Sequence, residues 1–211
     1  MIKKKISKDW LNKHRKDQFF KESKMRGFRS RSSFKLIEMN EKFNFINKDT
    51  NLLDLGSSPG GWSQVASKKI KSGKILAVDI IPMEKINNVS FVNGSILDVT
   101  TNEKIKMFFG KKIDVVISDM AANTTGNKNL DSYKTGELCI EAMDLAQKVL
   151  REDGVFLSKI FMGSIFSEII KKAGKYFKKV VKFKPLSSKR ESKEIYIYCR
   201  GIVKSFNLPK V

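Results

Sequence analysis

The sequence contains one histidine, His14, and two cysteines, Cys139 and Cys199, which lie 60 residues apart and form no CxxC pair. With a single histidine, His14 in the charged start of the chain, Ser-His-Asp hydrolysis is implausible and a His-rich metal site lacks its ligands. Two isolated thiols supply neither a disulfide framework nor a zinc site, and they suit a reducing compartment. No apolar stretch approaches the ~20 residues of a membrane-spanning helix. Residues 1–10 carry charges where a secretory signal would have its apolar core. Acidic residues are scarce as well: 22 Asp and Glu stand against 42 Lys and Arg, a formal net charge of +20 over 211 residues. Chemistry here must run on Lys, Asp, Glu, Ser or Tyr, or on a cofactor.

The charge is unevenly placed. Residues 1–35 hold 13 basic and 3 acidic side chains, residues 168–211 hold the same numbers, and residues 36–167 hold 16 of each. A merely solvated surface would scatter its lysines along the chain. Two basic ends flanking a neutral body read as a phosphate-binding footprint. Neither end carries a long amphipathic helix with Trp or Phe on a clean apolar face, which favours RNA or DNA over an anionic membrane. Arg29 and Arg31 are expected to meet phosphates and to leave cofactor binding untouched.

The composition, 41% hydrophobic and 30% charged, is that of one compact globular domain. A chain of this length buries roughly 70% of its unfolded surface. Residues 51–55 form a short apolar run ended by Gly56-Ser-Ser-Pro-Gly-Gly61, hence a strand and a tight turn. Further strands are predicted over 74–79, 89–92, 113–118 and 155–161. Helices are predicted over about 62–70, over 131–150, and from Ile165 to Phe177. In the second of these, Leu138, Ala142, Leu145 and Val149 make the i, i+4, i+7 stripe of an amphipathic helix. The last two strands, 179–183 and 194–199, are joined by about ten residues without helical period and should be antiparallel neighbours. The predicted fold class is α/β: a doubly wound, mostly parallel sheet with an antiparallel last strand. A basic helical arm is expected over 1–30, the domain over 31–203, and a tail over 204–211.

In such sheets ligands bind at the carboxyl ends of the strands. The turn after the first strand, Gly56 to Trp62, allows close backbone approach. It lacks the GxGxxG spacing and the Lys-Ser/Thr of a pyrophosphate cradle. Asp79 ends the second strand, 23 residues after Gly56, where a carboxylate can accept both hydroxyls of a ribose. A ribose acceptor beside such a loop points to S-adenosylmethionine, although a Gly/Pro turn and a strand-end Asp also have a purely structural reading. Lys159 interrupts an otherwise apolar strand, so it must be paired or functional, or must snorkel from a strand end. Asp119 follows the fourth strand and could simply cap its loop. Glu194 alternates with Tyr196 and Tyr198, as an exposed sheet-face glutamate would.

Taken in order, Phe28-Arg-Ser-Arg-Ser-Ser-Phe-Lys-Leu36, Leu53-Asp-Leu-Gly-Ser-Ser-Pro-Gly-Gly-Trp-Ser-Gln64, Ser118-Asp-Met-Ala-Ala-Asn123, Lys159 and Arg190-Glu-Ser-Lys-Glu-Ile-Tyr196 resemble the FtsJ/RrmJ-type RNA 2′-O-methyltransferases. The resemblance runs from about Lys24 to Gly201. It implies a Rossmann-like S-adenosylmethionine-dependent methyltransferase fold and a Lys-Asp-Lys-Glu tetrad on Lys35, Asp119, Lys159 and Glu194. It implies cofactor contacts at Gly60, Trp62, Asp79 and Asp119. Where the family usually has Gly-Asp after the third strand, this chain has Gly94-Ser95, with Asp98 three residues on. Ser95 is left as an uncharged hydrogen-bonding partner for the adenine.

The resemblance further implies methylation of a uridine ribose in the A-loop of 23S rRNA. A monomer bound to no membrane and needing no metal is expected, and the lysine-rich start, with Asp9 and Asp17, matches a transit peptide poorly, which points to the bacterial cytoplasm. A ribose 2′-OH needs a base, and with His14 in the arm that base would be a lysine. Lys159 is assigned to it: burial and the second cation, Lys35, favour its neutral form, whereas Asp119 and Glu194 oppose it. Asp119 and Lys35 would orient base and hydroxyl, and Glu194 would fix the second lysine or the ribose. Two alternatives stay open. One is 2′-O-methylation of another RNA, such as a tRNA anticodon loop or an mRNA cap, which the lack of extra domains disfavours. The other is a non-catalytic ribosome-assembly protein that holds RNA.

Overall fold

The computed structural model describes residues 18–122, 125–189 and 191–203. The first seventeen residues of the expected arm with His14, Asn123 of the loop motif, Arg190, and the expected tail 204–211 lie outside the described residues. The elements are α1 (Gln18–Met25), α2 (Ser32–Phe43), β1 (Leu52–Leu55), α3 (Gly61–Lys69), β2 (Ile75–Asp79), β3 (Ser90–Asn93), α4 (Val99–Phe109), β4 (Ile113–Ser118), α5 (Lys128–Val149), β5 (Leu150–Phe161), α6 (Phe166–Tyr176), β6 (Phe177–Phe183) and β7 (Glu194–Ile202).

The strands form one seven-stranded sheet in the order β3-β2-β1-β4-β5-β7-β6. Pairs among β1 to β5 are parallel, and β7 runs antiparallel to both β5 and β6. The antiparallel last strand follows the expectation from its short, non-helical connection. Strands β1, β2 and β4 read as near-continuous apolar runs because helices cover both of their faces. Alternation sorts the side chains. Leu53, Leu55, Val116 and Phe156 pack in the core that also buries residues of α4, α5 and α6. Leu52, Ile117, Leu157, Tyr196 and Tyr198 pack in the core that also buries residues of α2 and α3. The end of the expected arm belongs to the second core, since the Phe19 and Phe28 rings lie 5.5 and 5.6 Å from that of Phe34.

Several elements differ from their predicted limits. Helix α5 starts at Lys128, where the Asn127 side chain accepts from the N–H groups of Asn129 and Leu130. It passes straight into β5 at Leu150, which pairs with Ile113, so the strand begins well before residue 155. Strand β6 likewise begins at Phe177, whose ring stacks on Phe156 at 5.8 Å. Helices α2 and α4 were not foreseen. In α2 the buried stripe Leu36, Met39, Asn40 includes a polar residue, whose Oδ1 accepts from Phe45 and Ile46 N–H. In α4 the buried positions are Thr101, Ile105 and Phe109, and the helix opens on Val99-Thr-Thr-Asn102, residues of weak helix preference.

Strand order reverses between β1 and β4, which places a crevice where their carboxyl ends diverge. Asp54, one residue from the end of β1, is fully buried beneath α3, with Oδ2 accepting from Ser63 Oγ at 2.6 Å. Burial, against the Ser63 hydrogen bond and reinforced by the negative charges of Asp119 and Asp79, raises its pKa from 3.8 to about 7. A carboxyl whose pKa is raised on folding binds its proton more tightly in the native state. The native state therefore loses stability as pH rises from about 4 to about 7, by on the order of 4 kcal/mol at most. Asp54→Asn should abolish most of that slope, so that its melting temperature relative to the wild type climbs between pH 5 and pH 7.5. Thermal denaturation across that range checks this; a pH-independent difference would contradict it.

Candidate active site

The same alternation that builds the second core aims the polar residues. Lys159 follows Leu157 on one face of β5, while Glu194 and Tyr196 precede Tyr198 on β7. The register pairs Lys159 with Tyr196 and Phe161 with Glu194. All of these side chains point toward the sheet face that α2 covers, and Lys35 descends from that helix. Asp119 is the first residue after β4, and its N–H donates to the Leu55 carbonyl at 3.2 Å across the switch point.

The four sequence-predicted catalytic residues form two charge pairs. Lys159 Nζ lies 3.0 Å from Asp119 Oδ1 and donates to the Asp119 carbonyl at 2.6 Å. Lys35 Nζ lies 2.6 Å from Glu194 Oε1, an oxygen that also accepts from Ser188 Oγ at 2.9 Å. Between them stands Tyr196, a fully buried residue whose hydroxyl donates to Asp119 Oδ1 at 2.9 Å. Its ring lies 5.7 Å beneath Lys35 Nζ and 5.8 Å from the Trp62 ring. Each charged side chain is less than a fifth exposed: 9% for Lys159, 19% for Asp119, 12% for Lys35 and 11% for Glu194. Pairs this secluded lose most when one member is removed, because the other is then stranded.

Burial alone would raise the Asp119 carboxyl. The Lys159 and Lys35 ammoniums, with hydrogen bonds from Lys159 and Tyr196, outweigh it and hold the group below its ordinary value of 3.8. Burial, then the charges of Asp119 and Glu194, push Tyr196 far above 10, so it stays a hydrogen-bond donor. The sequence indicated Lys159 by its incongruity in an apolar strand, whereas Tyr196 looks there like any core tyrosine.

Asp119 also borders a cavity of about 450 Å³ at the switch point, lined with Gly56, Asp79, Ser95 and Met120 among others. Gly56 has φ +72°, and a Cβ there would stand 2.4 Å from Met120 Cγ, so only glycine keeps this wall in place. Asp79 accepts from Ser58 N–H on Oδ2 and from Ile81 N–H on Oδ1, each at 2.8 Å. Those bonds fix the carboxylate and leave each oxygen a further lone pair for a hydroxyl. Ser95 reaches the cavity, but its Oγ already accepts from Leu97 N–H at 3.2 Å. Asp98 stands at the start of α4 and does not line the cavity.

Neither Gly60 nor Trp62 lines the cavity. The Trp62 side chain is 2% exposed and its indole N–H donates to the Ser32 carbonyl at 2.8 Å, which leaves only its backbone for a ligand. Gly60 makes room for the β2–β3 loop, since a Cβ would meet Ile86 Cδ1 at 2.7 Å and Met83 Sδ at 2.8 Å. A second cavity, about 440 Å³, lies beside Asp114 and Arg151. These two already pair at 2.7 Å, away from the carboxyl ends of the strands.

The two arginines expected to meet phosphates are committed within the fold. Arg29 donates to the carbonyls of Pro59, Glu84 and Lys85, tying the glycine loop to the β2–β3 loop beside the cavity. Arg31 donates to the Ser187 carbonyl, and burial lowers its pKa against the opposing charges of Glu194 and Glu191. None of the three carbonyls that Arg29 holds belongs to a residue lining the cavity.

Fold and site together define an α/β enzyme with a strand-end cavity and a lysine–carboxylate centre beside it. The FtsJ-like methyltransferase model matches residues 28–202, and the chain belongs to that family. It is 47% identical over 200 residues, 95% of this chain and 98% of its relative, to the ribosomal RNA large subunit methyltransferase E of Pelagibacter ubique. A solved ribosomal RNA methyltransferase structure from Plasmodium falciparum superposes with a TM-score of 0.74 at 30% identity, covering 83% of this chain and 98% of that one. A Streptococcus mutans methyltransferase solved in complex with SAH shares the fold at a TM-score of 0.52 and 12% identity, covering 81% and 95% of the two chains. The chain is a methyltransferase with a Rossmann-like sheet.

Tyr196→Phe removes one donor from Asp119 and nothing else. The variant should fold, with stability at pH 7 lower by about 1.5–3 kcal/mol, the range for a hydrogen bond to a charged group. Because that donor helps to depress the Asp119 pKa, the stability Asp119 contributes should vanish at a higher pH on acidification than in the wild type. Urea denaturation between pH 3 and pH 7 measures both effects; superimposable curves would show that the hydroxyl does not hold Asp119.

Proposed function

We propose that this methyltransferase uses S-adenosylmethionine to methylate a ribose 2′-OH of large-subunit ribosomal RNA, the target being a uridine in the A-loop of 23S rRNA. The observation that carries the reading is the Lys159–Asp119 pair at the rim of the switch-point cavity, with Asp119 belonging to both. The name of the 47% identical relative supports the choice of RNA. The protein would act on the rRNA within the subunit, as a monomer in the cytoplasm, through a domain that starts near residue 31.

The cavity fits the cofactor. Asp79 presents a fixed carboxylate where a ribose would lie, Gly56 keeps the wall flat, and exposed Ile80, Ile81 and Leu97 offer apolar surface for an adenine. Bound there, S-adenosylmethionine supplies an electrophilic methyl group on a sulfonium. The protein must bring the 2′-oxygen to that methyl and take away its proton. Asp119 holds Lys159 through both its carboxylate and its carbonyl, which fixes the direction of Nζ. In its neutral form Lys159 accepts the 2′-OH proton as the oxygen attacks, and Asp119 stabilises the ammonium that results. Lys35, held by Glu194, steers the ribose from the α2 side. Most of the acceleration comes from alignment.

Labelled methyl groups should enter large-subunit rRNA and appear, after alkaline digestion, in a dinucleotide resistant to cleavage, because a methylated 2′-oxygen cannot attack its phosphate. Label in a base, or none in rRNA, would overturn the reading. Lys159→Ala should lower single-turnover methylation by roughly 10²–10⁴-fold while still binding S-adenosylmethionine. It should also lose a few kcal/mol of stability, since Asp119 is left without its ammonium. Lys159→Arg should not restore the rate, because a guanidinium keeps its proton.

A further inference from the structure

The β6–β7 loop, residues 184–193, enters the site only through the Ser188 hydroxyl on Glu194, yet its backbone is held from two positions, Arg31 at the start of α2 and Glu38 within it. Glu38 accepts the N–H of Leu186 on Oε2 at 2.6 Å and that of Ser187 on Oε1 at 2.9 Å. Arg31 donates to the Ser187 carbonyl. Lys35 lies between them in the helix and meets Glu194 Oε1, the oxygen to which Ser188 donates. Arg31 caps α2 in helical conformation, so positions 31, 35 and 38, spaced i, i+4 and i+7, form one stripe from the cap along the helix. The outer two grip the loop backbone at Ser187, and the middle one enters the charge pair. Leu186, at the tip, is 89% exposed, so its apolar side chain contributes nothing to the fastening.

A carboxylate that takes two consecutive backbone N–H groups fixes both the height and the orientation of the loop on the helix. Ser188 follows directly, and its hydroxyl sets which oxygen of Glu194 faces Lys35. We propose that Glu38 is a positioning residue for the reaction: by clamping the β6–β7 loop onto α2 it sets, through Ser188, the Lys35–Glu194 pair that steers the ribose, while touching no substrate itself. This rests on the methyltransferase reading of the site.

The test is Glu38→Gln, which turns one of the two accepting oxygens into an NH2 group that can only donate. Single-turnover methylation of large-subunit rRNA should fall roughly 10-fold, the scale of a small misalignment at the reacting centre. S-adenosylmethionine affinity should stay within twofold of the wild type, and hydrogen exchange at the Leu186 and Ser187 amides should accelerate. In a Glu194→Ala background, Glu38→Gln should add no further loss of rate, because the pair through which it acts is already gone. An equal loss in both backgrounds would overturn the proposal in favour of a general structural role, and so would an unchanged rate with the loop amides deprotected. If the wild type transfers no methyl to rRNA, it is the functional reading that fails. The clamp is then judged by exchange alone, and unaltered protection in Glu38→Gln would overturn it.

Discussion

Asp119 carries a negative charge where burial opposes one, and three groups keep it there. Lys159 and Tyr196 bond its carboxylate, Lys35 adds positive charge from α2, and its own N–H is anchored to Leu55 across the switch point. Those contacts come from β5, β7, α2 and β1, so one carboxylate registers four elements against each other. The same residue borders the cavity. Position and chemistry thus converge: the group that holds the lysine also forms part of the wall where the methyl donor is proposed to sit.

The second charge pair shows a different economy. Lys35 and Glu194 meet at 2.6 Å between a helix near the start of the chain and a strand near its end. Ser188 of the β6–β7 loop donates to the same Glu194 oxygen, and the cations of the stretch 28–36 that flank this pair are themselves held by backbone carbonyls. Arg29 braces the glycine loop and Arg31 grips Ser187. Net charge in the sequence therefore overstates how many of these cations are available to RNA. Lys171 of α6 and Lys179 of β6 are exposed, whereas Arg29 and Arg31 are partly buried.

Much of this was legible in the sequence where a local rule was broken or a turn was spelled out. The glycine turn after residue 55 announced a strand and a ligand loop, and an ammonium inside an apolar strand announced a partner. Antiparallel β7 followed from a connection too short for a crossover helix. What stayed hidden depended on distant pairing. Glu38 and Ser187 are 149 positions apart, and no local pattern joins them. Helix α4 hid because its buried face is Thr101, Ile105 and Phe109 rather than an unbroken apolar stripe. The cofactor contact carried by resemblance onto Trp62 met a buried indole already bonded to Ser32, a commitment only the folded chain reveals.

The most direct measurement is single-turnover methyl transfer to large-subunit rRNA by Asp119→Asn. The substitution keeps the shape of the side chain and removes the charge that holds Lys159 and answers Lys35. If the Asp119 carboxylate organises the centre, rRNA binding should persist and the transfer rate should fall by at least about 10²-fold, the contribution of a positioned acid–base pair. A rate within about threefold of the wild type would contradict that claim.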